Sequence, residues 1–143
     1  MISNLFFSAK LHEGGEAYEK ILTLWLNTTW GILSMLLYRE ETRGPFSELS
    51  IPQWRLLPIL DVYSLDRETV EKLVMAFDSC AEKSLRRIPR QFSSDPRRVD
   101  PVRLELDLRF LKAVDPGLDD KKIRDGLLKI YGAVNRFLNT WIG

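Results

Sequence analysis

The sequence predicts one mainly α-helical domain (α+β class), with four or five helices and one or two short strands, over residues 1–143. Two observations favour helices. Apolar residues recur every three or four positions in segments 66–88 and 119–142, and each segment begins at an aspartate suited to cap a helix. Segment 3–11 instead alternates apolar and polar residues, which is typical of a strand. A length of 143 residues fits one domain.

The N-terminal part of the chain is predicted to form a strand followed by a long helix. The strand over 3–11 ends at the Gly14-Gly15 turn. Residues 16–39 are apolar on nearly every side of a helix and are therefore expected to be buried. Asn27 and the threonines after it favour caps over helix interiors. A bent pair of helices is therefore an alternative to one long helix.

Residues 21–38 of this helix carry no charged side chain, which reaches the lower length limit of a membrane span. Asn27 and the nearby threonines would need hydrogen-bond partners in a bilayer, and the sequence has no second apolar segment to supply them. We therefore expect a core helix and no membrane partner. The N-terminus lacks the pattern of a signal peptide, and a single cysteine fits a reducing compartment, so we expect a cytoplasmic protein.

The middle of the chain is predicted to be less regular until the next long helix. Residues 40–45 form a loop, 46–51 a short strand, and 52–58 a helical turn or an irregular segment. Asp66 then caps a helix, with Leu65 and Val70 as a hydrophobic staple around its first turn. This helix is expected to continue to residue 88, where Pro89 stops it.

The C-terminal part is predicted to contain two helices. Residues 102–110 alternate like a strand, but Asp100 followed by Pro101 is a cap plus a first-turn proline, which favours a helix. After a turn at 115–117, Asp119 is expected to cap the last helix. Its predicted apolar face consists of Ile123, Leu127, Ile130, Val134, Phe137 and Trp141.

Residue counts and motifs exclude several kinds of chemistry. One cysteine and one histidine rule out an intramolecular disulfide, a multi-thiolate metal site and a zinc site built on paired histidines. Cys80 lies on the apolar stripe of its helix, which favours a buried thiol over a reactive one. No nucleotide-binding glycine loop and no nucleophile elbow occur. We therefore predict no catalytic residues, no metal, no cofactor and no enzymatic activity.

Basic residues are concentrated in one segment, although the whole chain is nearly neutral, with 21 Lys and Arg against 20 Asp and Glu. Residues 86–98 carry five arginines and one acid, Asp95. Guanidinium groups suit paired hydrogen bonds to phosphates or base edges. A solvated helix end, where cations complement the helix dipole, is the alternative interpretation. The candidate DNA contacts are Arg86, Arg87, Arg90, Arg97 and Arg98.

Several short stretches then carry a resemblance to a known family. They are residues 25–33 (WLNTTWGIL), 39–44 (REETRG), Leu49 and 56–61 (LLPILD). In this order they resemble the C-terminal region of adenine-specific DNA methyltransferases of bacteria and archaea, including restriction–modification proteins. That family shows a Leu-Asn-Ser-like step after an apolar helix, then a Thr-Arg-Gly-like loop and a Leu-Pro-Val/Ile-Leu-Asp-like step. The similar helical tail would comprise Asp107, Leu111, Asp115-Pro116-Gly117-Leu118, Leu128 and Tyr131.

The resemblance implies a target-recognition-type module without its catalytic domain. The glycine motif for the cofactor and the Asn/Asp-Pro-Pro-aromatic catalytic motif are missing, and no Pro-Pro dipeptide occurs. Such a module would bind duplex DNA or dock on a separate methyltransferase subunit. A protein-interaction or assembly domain whose exposed aromatic residues bind a partner is the competing hypothesis, and the near-neutral charge favours it.

Arg43 is the candidate for a more specific DNA contact. It precedes Gly44 in the loop after the longest apolar helix, and recognition residues often lie in loops held by rigid elements. An ion pair from Arg43 to Glu40, Glu41 or Glu48 is the alternative, and it would only fix the loop.

Overall fold

The computed structural model describes residues 11–41 and 47–142, and this part of the chain is mainly helical. Two 3-10 turns, Val62–Ser64 and Ile88–Arg90, interrupt the connections between helices. The six α-helices of the described residues are α1 (Gly15–Asn27), α2 (Thr29–Tyr38), α3 (Ile51–Leu56), α4 (Arg67–Cys80), α5 (Pro101–Val114) and α6 (Asp120–Ile142).

The predicted short strands are not confirmed. Segment 3–11 lies outside the described residues except for Leu11. In segment 46–51, Ser47–Glu48 pairs with Glu40–Glu41 over only two residues on each side, and Ile51 already begins α3. Ser50 and Gln53 form a capping box that starts this helix, with Pro52 in its first turn. These capping contacts favour helix from Ile51 onward over a longer strand.

Of the two alternatives for the first apolar segment, the structure has the bent pair of helices, and the bend lies at Thr28. The Thr28 hydroxyl donates to the Trp25 carbonyl at 2.6 Å and accepts from the Gly31 N–H at 3.2 Å, so one side chain ends α1 and caps α2. A Cβ on Gly31 would lie 2.3 Å from the Trp25 carbonyl oxygen, so only glycine fits against the end of α1.

The same bend separates the two halves of the uncharged run. No single helix among the described residues is long and apolar enough to cross a membrane, whereas α1 and α2 together reach that length and composition with a 70° bend between them. Ile21, Leu24 and Ile32 are buried as expected. Leu37 near the end of α2 is 73% exposed, so the prediction of burial along the whole segment is wrong there.

Helix α4 is capped by Asp66 as predicted, but it ends at Cys80 rather than at residue 88. The Asp66 carboxylate accepts from the Thr69 N–H at 2.8 Å. Beyond Cys80, the Arg86 N–H donates to Asp100 at 2.7 Å, and its carbonyl accepts from the Gln91 side chain at 2.6 Å. These tertiary bonds occupy the backbone groups that a longer helix would need. Cys80 is buried as predicted, and desolvation raises the pKa of its thiol.

The predictions of α5 and α6 are confirmed, with one correction to the buried face. Asp100 accepts from the Val102 N–H and Asp119 from the Lys122 N–H, both at 2.9 Å. The α6 residues in the core are Leu127, Tyr131, Val134 and Leu138. Ile130 and Phe137 are instead 40% and 37% exposed, and the side chain of Trp141 lies outside the described part of the chain. Tyr131 accounts for this orientation of α6, since its hydroxyl donates to a buried carboxylate on α5.

Helix α5 is the centre of the packing. One apolar cluster joins α5 to α1 and α4, with Ile21, Leu73 and Phe110 among its buried members. A second cluster joins α5 to α2, α6 and the segment before α5, with Leu104 and Leu127 among its members. Because α5 contributes to both clusters, its own side chains link the N-terminal and C-terminal halves of the fold.

A buried polar cluster lies between these two apolar groups. Asp107 of α5 accepts hydrogen bonds from the Thr29 N–H at 2.9 Å, from the Thr29 hydroxyl and from the Tyr131 hydroxyl at 2.6 Å. Burial raises the pKa of Asp107, although the Arg103 guanidinium lies 3.7 Å away and favours the carboxylate. Burial also raises the pKa of Tyr131, which keeps its hydroxyl a neutral donor.

Arg103 extends this cluster towards the basic segment. Its guanidinium donates to the Asn27 carbonyl at the end of α1, where the helix dipole favours a cation. It also donates to the Gln91 side-chain oxygen at 2.7 and 3.0 Å and lies 5.5 Å from the centre of the Phe92 ring. Arg103 therefore connects the α1–α2 bend with the segment that carries the candidate arginines.

Candidate nucleic-acid interface

The five candidate arginines lie on one segment, residues 86–98, which we name the arginine loop. The sequence predicted that a long helix continues to residue 88 and so includes the first of these arginines, but the helix ends at Cys80. Gln91, Phe92 and Val99 are buried, and so is Asp100. The Asp100 N–H donates to the Gln91 carbonyl at 3.1 Å, which closes the loop at its base. The arginines are thus carried by a loop with its own buried anchor residues.

Helix α6 supports the other side of the arginine loop. The Asn135 side chain donates to the Phe92 carbonyl at 2.7 Å. A Cβ on Gly132 would lie 3.0 Å from Cβ of Ser94, so the absence of a side chain there allows the loop to approach the helix closely. The Phe92 and Tyr131 rings also meet edge to face, with centroids 5.6 Å apart. The loop is therefore held against α6 by polar, apolar and aromatic contacts.

Three of the five candidates surround one open cleft. Arg86, Arg90 and Arg98 line this cleft of about 460 Å³, together with Phe92 of the loop and Asn135 of α6. The Arg86 guanidinium donates to the Arg98 carbonyl at 3.0 Å, which draws the two ends of the loop together. The cleft thus combines fixed walls with several cationic side chains.

The other two candidates lie on the outer surface of the loop. Arg97 is paired with Asp95 at 3.3 Å, but its side chain is 89% exposed, so solvent weakens this pair. Hydrogen bonds from Arg97 hold the pKa of Asp95 below its ordinary value. Arg87 immediately precedes the 3-10 turn and is exposed. Within the described part of the chain, neither Arg87 nor Arg90 forms a side-chain hydrogen bond or ion pair.

This arrangement displays many more cationic donors than acids. Asp95 is the one carboxylate of the arginine loop and is already hydrogen-bonded to Arg97. Exposed guanidinium groups present planar sets of N–H donors that match phosphate oxygens in pairs. The described residues contain no group of three or more His, Cys, Asp or Glu side chains that could hold a metal ion. Anion binding is therefore the chemistry that this surface supports best.

Arg43 does not take part in the described site. It lies outside the described residues, as does most of the loop that carries it, so both interpretations of Arg43 stay predictions.

Some residues that build the site were not identified from the sequence. Arg103 is five positions after Arg98, and only its spacing to Asp107, one helical turn away, hinted at an internal ion pair. Gly132 and Asn135 carried no recognisable signal, because their role depends on contact with a loop about forty residues earlier in the chain. Arg136 is exposed, and its guanidinium lies near the same Gly132–Ser94 contact.

Comparison of the chain with known protein families, with curated proteins and with solved structures finds no match. The kinship indicated by residues 25–33 and 56–61 therefore stays a prediction.

Proposed function

We propose that this chain is a non-catalytic DNA-recognition module that holds the phosphates of duplex DNA on its arginine loop. One observation carries the proposal. Five arginines and a single acid lie on a loop that buried residues anchor to the rest of the protein. A fixed loop loses less conformational freedom when it binds than a flexible one does. The chain has a net charge of only +1, so the attraction must come from this local surface.

We further propose that the module is related to the C-terminal part of an adenine-specific DNA methyltransferase. Support comes from the contacts of the residues that carry the resemblance. Thr29 lies in the first of these stretches, and Asp107 and Tyr131 lie in the helical tail. Thr29 and Tyr131 both donate hydrogen bonds to the Asp107 carboxylate. Residues from these separate parts of the sequence therefore meet in one buried hydrogen-bond cluster. A module of this kind would act with a separate methyltransferase subunit.

The competing function, a protein-interaction domain, is supported by a different surface. Leu37 on α2 is 73% exposed, and Leu56 and Ile51 on the neighbouring α3 are 68% and 53% exposed. Helices α2 and α3 contact each other, and contiguous exposed apolar patches mark sites of contact with other proteins. The two proposals use different residues, so variants at Leu37, Ile51 and Leu56 leave the arginines of the loop in place.

The proposal is tested by measuring DNA binding with a fluorescent duplex at about 50 mM salt, where phosphate contacts are strong. The parent is compared with a variant in which Arg86, Arg87 and Arg90 are all replaced by glutamine. Non-specific DNA binding lies in the micromolar range at higher salt. At about 50 mM salt we therefore expect the parent to bind duplex DNA in this range or more tightly. The variant should bind much more weakly.

The matched control removes the same number of charges elsewhere. The control replaces Arg55 of α3 and Arg67 and Lys72 of α4 with glutamine, and none of these residues belongs to the arginine loop. We expect the control to keep the affinity of the parent. Equal loss in both variants would mean that only net charge matters. No binding by the parent would overturn the proposed function.

A further inference from the structure

A second cleft lies between α5 and the first half of α6. It has a volume of about 680 Å³, and Pro101, Leu104 and Leu108 form its apolar side. Lys121 and Arg124 of α6 are at its rim. The cleft thus resembles the first one in combining an apolar wall with cationic side chains, although it is built from different elements.

The acids of this second cleft are already matched by cations of the protein. Glu105 is paired with Lys83 at 2.6 Å and with Arg109 at 2.8 Å, and these contacts lower its pKa. Asp120 is paired with Lys112 at 2.9 Å. These partners account for the two carboxylates that line the cleft, so Lys121 and Arg124 are not needed to balance them.

Lys121 and Arg124 are in fact free to bind a ligand. Both side chains are exposed, and within the described residues neither forms an ion pair or a side-chain hydrogen bond. Lys112, by contrast, also donates to the Leu118 carbonyl at 2.8 Å and serves to close the α5–α6 turn. The free cations of the second cleft therefore belong to α6.

Both clefts border α6. Asn135 lines the first cleft and Arg124 the second. They are eleven residues apart, which is close to three full helical turns and about 16 Å along the axis. On the other wall, Arg98 of the first cleft precedes Pro101 of the second by three residues. Arg124 and Asn135 thus share one face of α6, and the chain passes directly from the first cleft to the second between Arg98 and Pro101.

We propose that the arginine loop and the pair Lys121 and Arg124 form one basic track that binds an extended polyanion, the backbone of duplex DNA. This inference rests on the proposed function and adds the second cleft to its binding surface. Measured along the axis of duplex DNA, a separation of about 16 Å spans roughly five base pairs at about 3.4 Å each. A single phosphate group can occupy only one of the clefts, whereas a continuous backbone can contact both.

The track is tested by replacing Lys121 and Arg124 with glutamine and measuring how DNA affinity depends on salt. Each lost phosphate contact should reduce the log–log slope by about 0.9, so the double variant should lose about 1.8. Between about 50 and 200 mM salt, the parent should then lose roughly tenfold more affinity than the variant does. The control, with Arg55 and Arg67 replaced by glutamine, should keep the slope of the parent. Thermal melting verifies that each variant is folded.

The outcomes separate the track from the proposed function. If glutamines at Arg86, Arg87 and Arg90 reduce the slope but glutamines at Lys121 and Arg124 do not, the track is wrong and the proposed function stands. If the double variant and its control reduce the slope equally, the second cleft has no specific role. If the parent does not bind duplex DNA, both proposals are overturned.

Discussion

Replacing Asp107 with alanine should destabilise the fold strongly. Asp107 is completely buried, and it is the carboxylate that faces the equally buried guanidinium of Arg103, 3.7 Å away. It also accepts from both Thr29 donors and from the Tyr131 hydroxyl. Removing one member of a buried ion pair leaves the other charge without compensation, which typically costs about 3–5 kcal/mol.

This cost is a large fraction of the total stability of a small protein, which is about 5–15 kcal/mol. For a chain of this size, roughly 3 °C are lost per kcal/mol, so the melting temperature should fall by about 9–15 °C. The assay is thermal and urea unfolding followed by circular dichroism. Tyr131→Phe is the matched control, because it removes one hydrogen bond to Asp107 and should cost only about 1 kcal/mol. A loss of about 1 kcal/mol or less for Asp107→Ala, which is the contribution of one ordinary hydrogen bond, would refute the role of Asp107 as the buried partner of Arg103.

Further predictions concern backbone packing, pH and ligands. Gly31→Ala should destabilise the protein by about 1–3 kcal/mol in urea unfolding, because the new Cβ would meet the Trp25 carbonyl at 2.3 Å. Gly126→Ala should instead stabilise it by up to about 1 kcal/mol, because a Cβ at Gly126 would have no atom within 4 Å. Lys83 lowers the folded-state pKa of Glu105. The ionised Glu105 therefore contributes to stability above the unfolded-state pKa of about 4.3, and this contribution is lost as pH falls through the folded-state pKa. Glu105→Gln should therefore flatten the decline of melting temperature between about pH 5 and 3, and an unchanged decline would contradict this. Arg43→Ala should weaken DNA binding at unchanged melting temperature, whereas a lower melting temperature would favour the ion-pair alternative. Calorimetry should detect no binding of S-adenosylmethionine, and micromolar affinity would contradict the proposed non-catalytic role.

Local capping signals predicted much of the fold. Asp66, Asp100 and Asp119 each cap the helix that was expected to follow, because a cap needs only the side chain and the first turn. The α1–α2 bend was predicted as one of two alternatives from the polar residues at 27–29. Its position at Thr28 depends also on Gly31, which allows the two helices to approach.

The errors arise where distant contacts decide the structure. The apolar spacing of Leu85 and Ile88 suggested a longer α4, but Asp100 and Gln91 bind the backbone of Arg86. Likewise, the face of α6 is fixed by the bond from Tyr131 to Asp107, a residue 24 positions earlier. Hydrophobic periodicity contains no information on such partners.

The arginines of the candidate site could be predicted from the sequence, but their arrangement in three dimensions could not. The five arginines were recognisable because charges cluster along the sequence. That Arg103 lies buried beneath them, and that Asn135 holds the loop from α6, depends on the tertiary structure. The same holds for Lys121 and Arg124, which are far from the arginine loop in sequence and line the second cleft.

The dependence of DNA affinity on salt tests the central claim most directly. If the five loop arginines contact phosphates, the log–log slope for the parent should be about −4.5 or steeper. Affinity should then fall about 500-fold or more between about 50 and 200 mM salt. The variant with glutamine at Arg86, Arg87 and Arg90 should have a slope smaller by about 2.7. A slope near zero, or the same slope in parent and variant, would contradict the assignment of this loop as the DNA-binding surface.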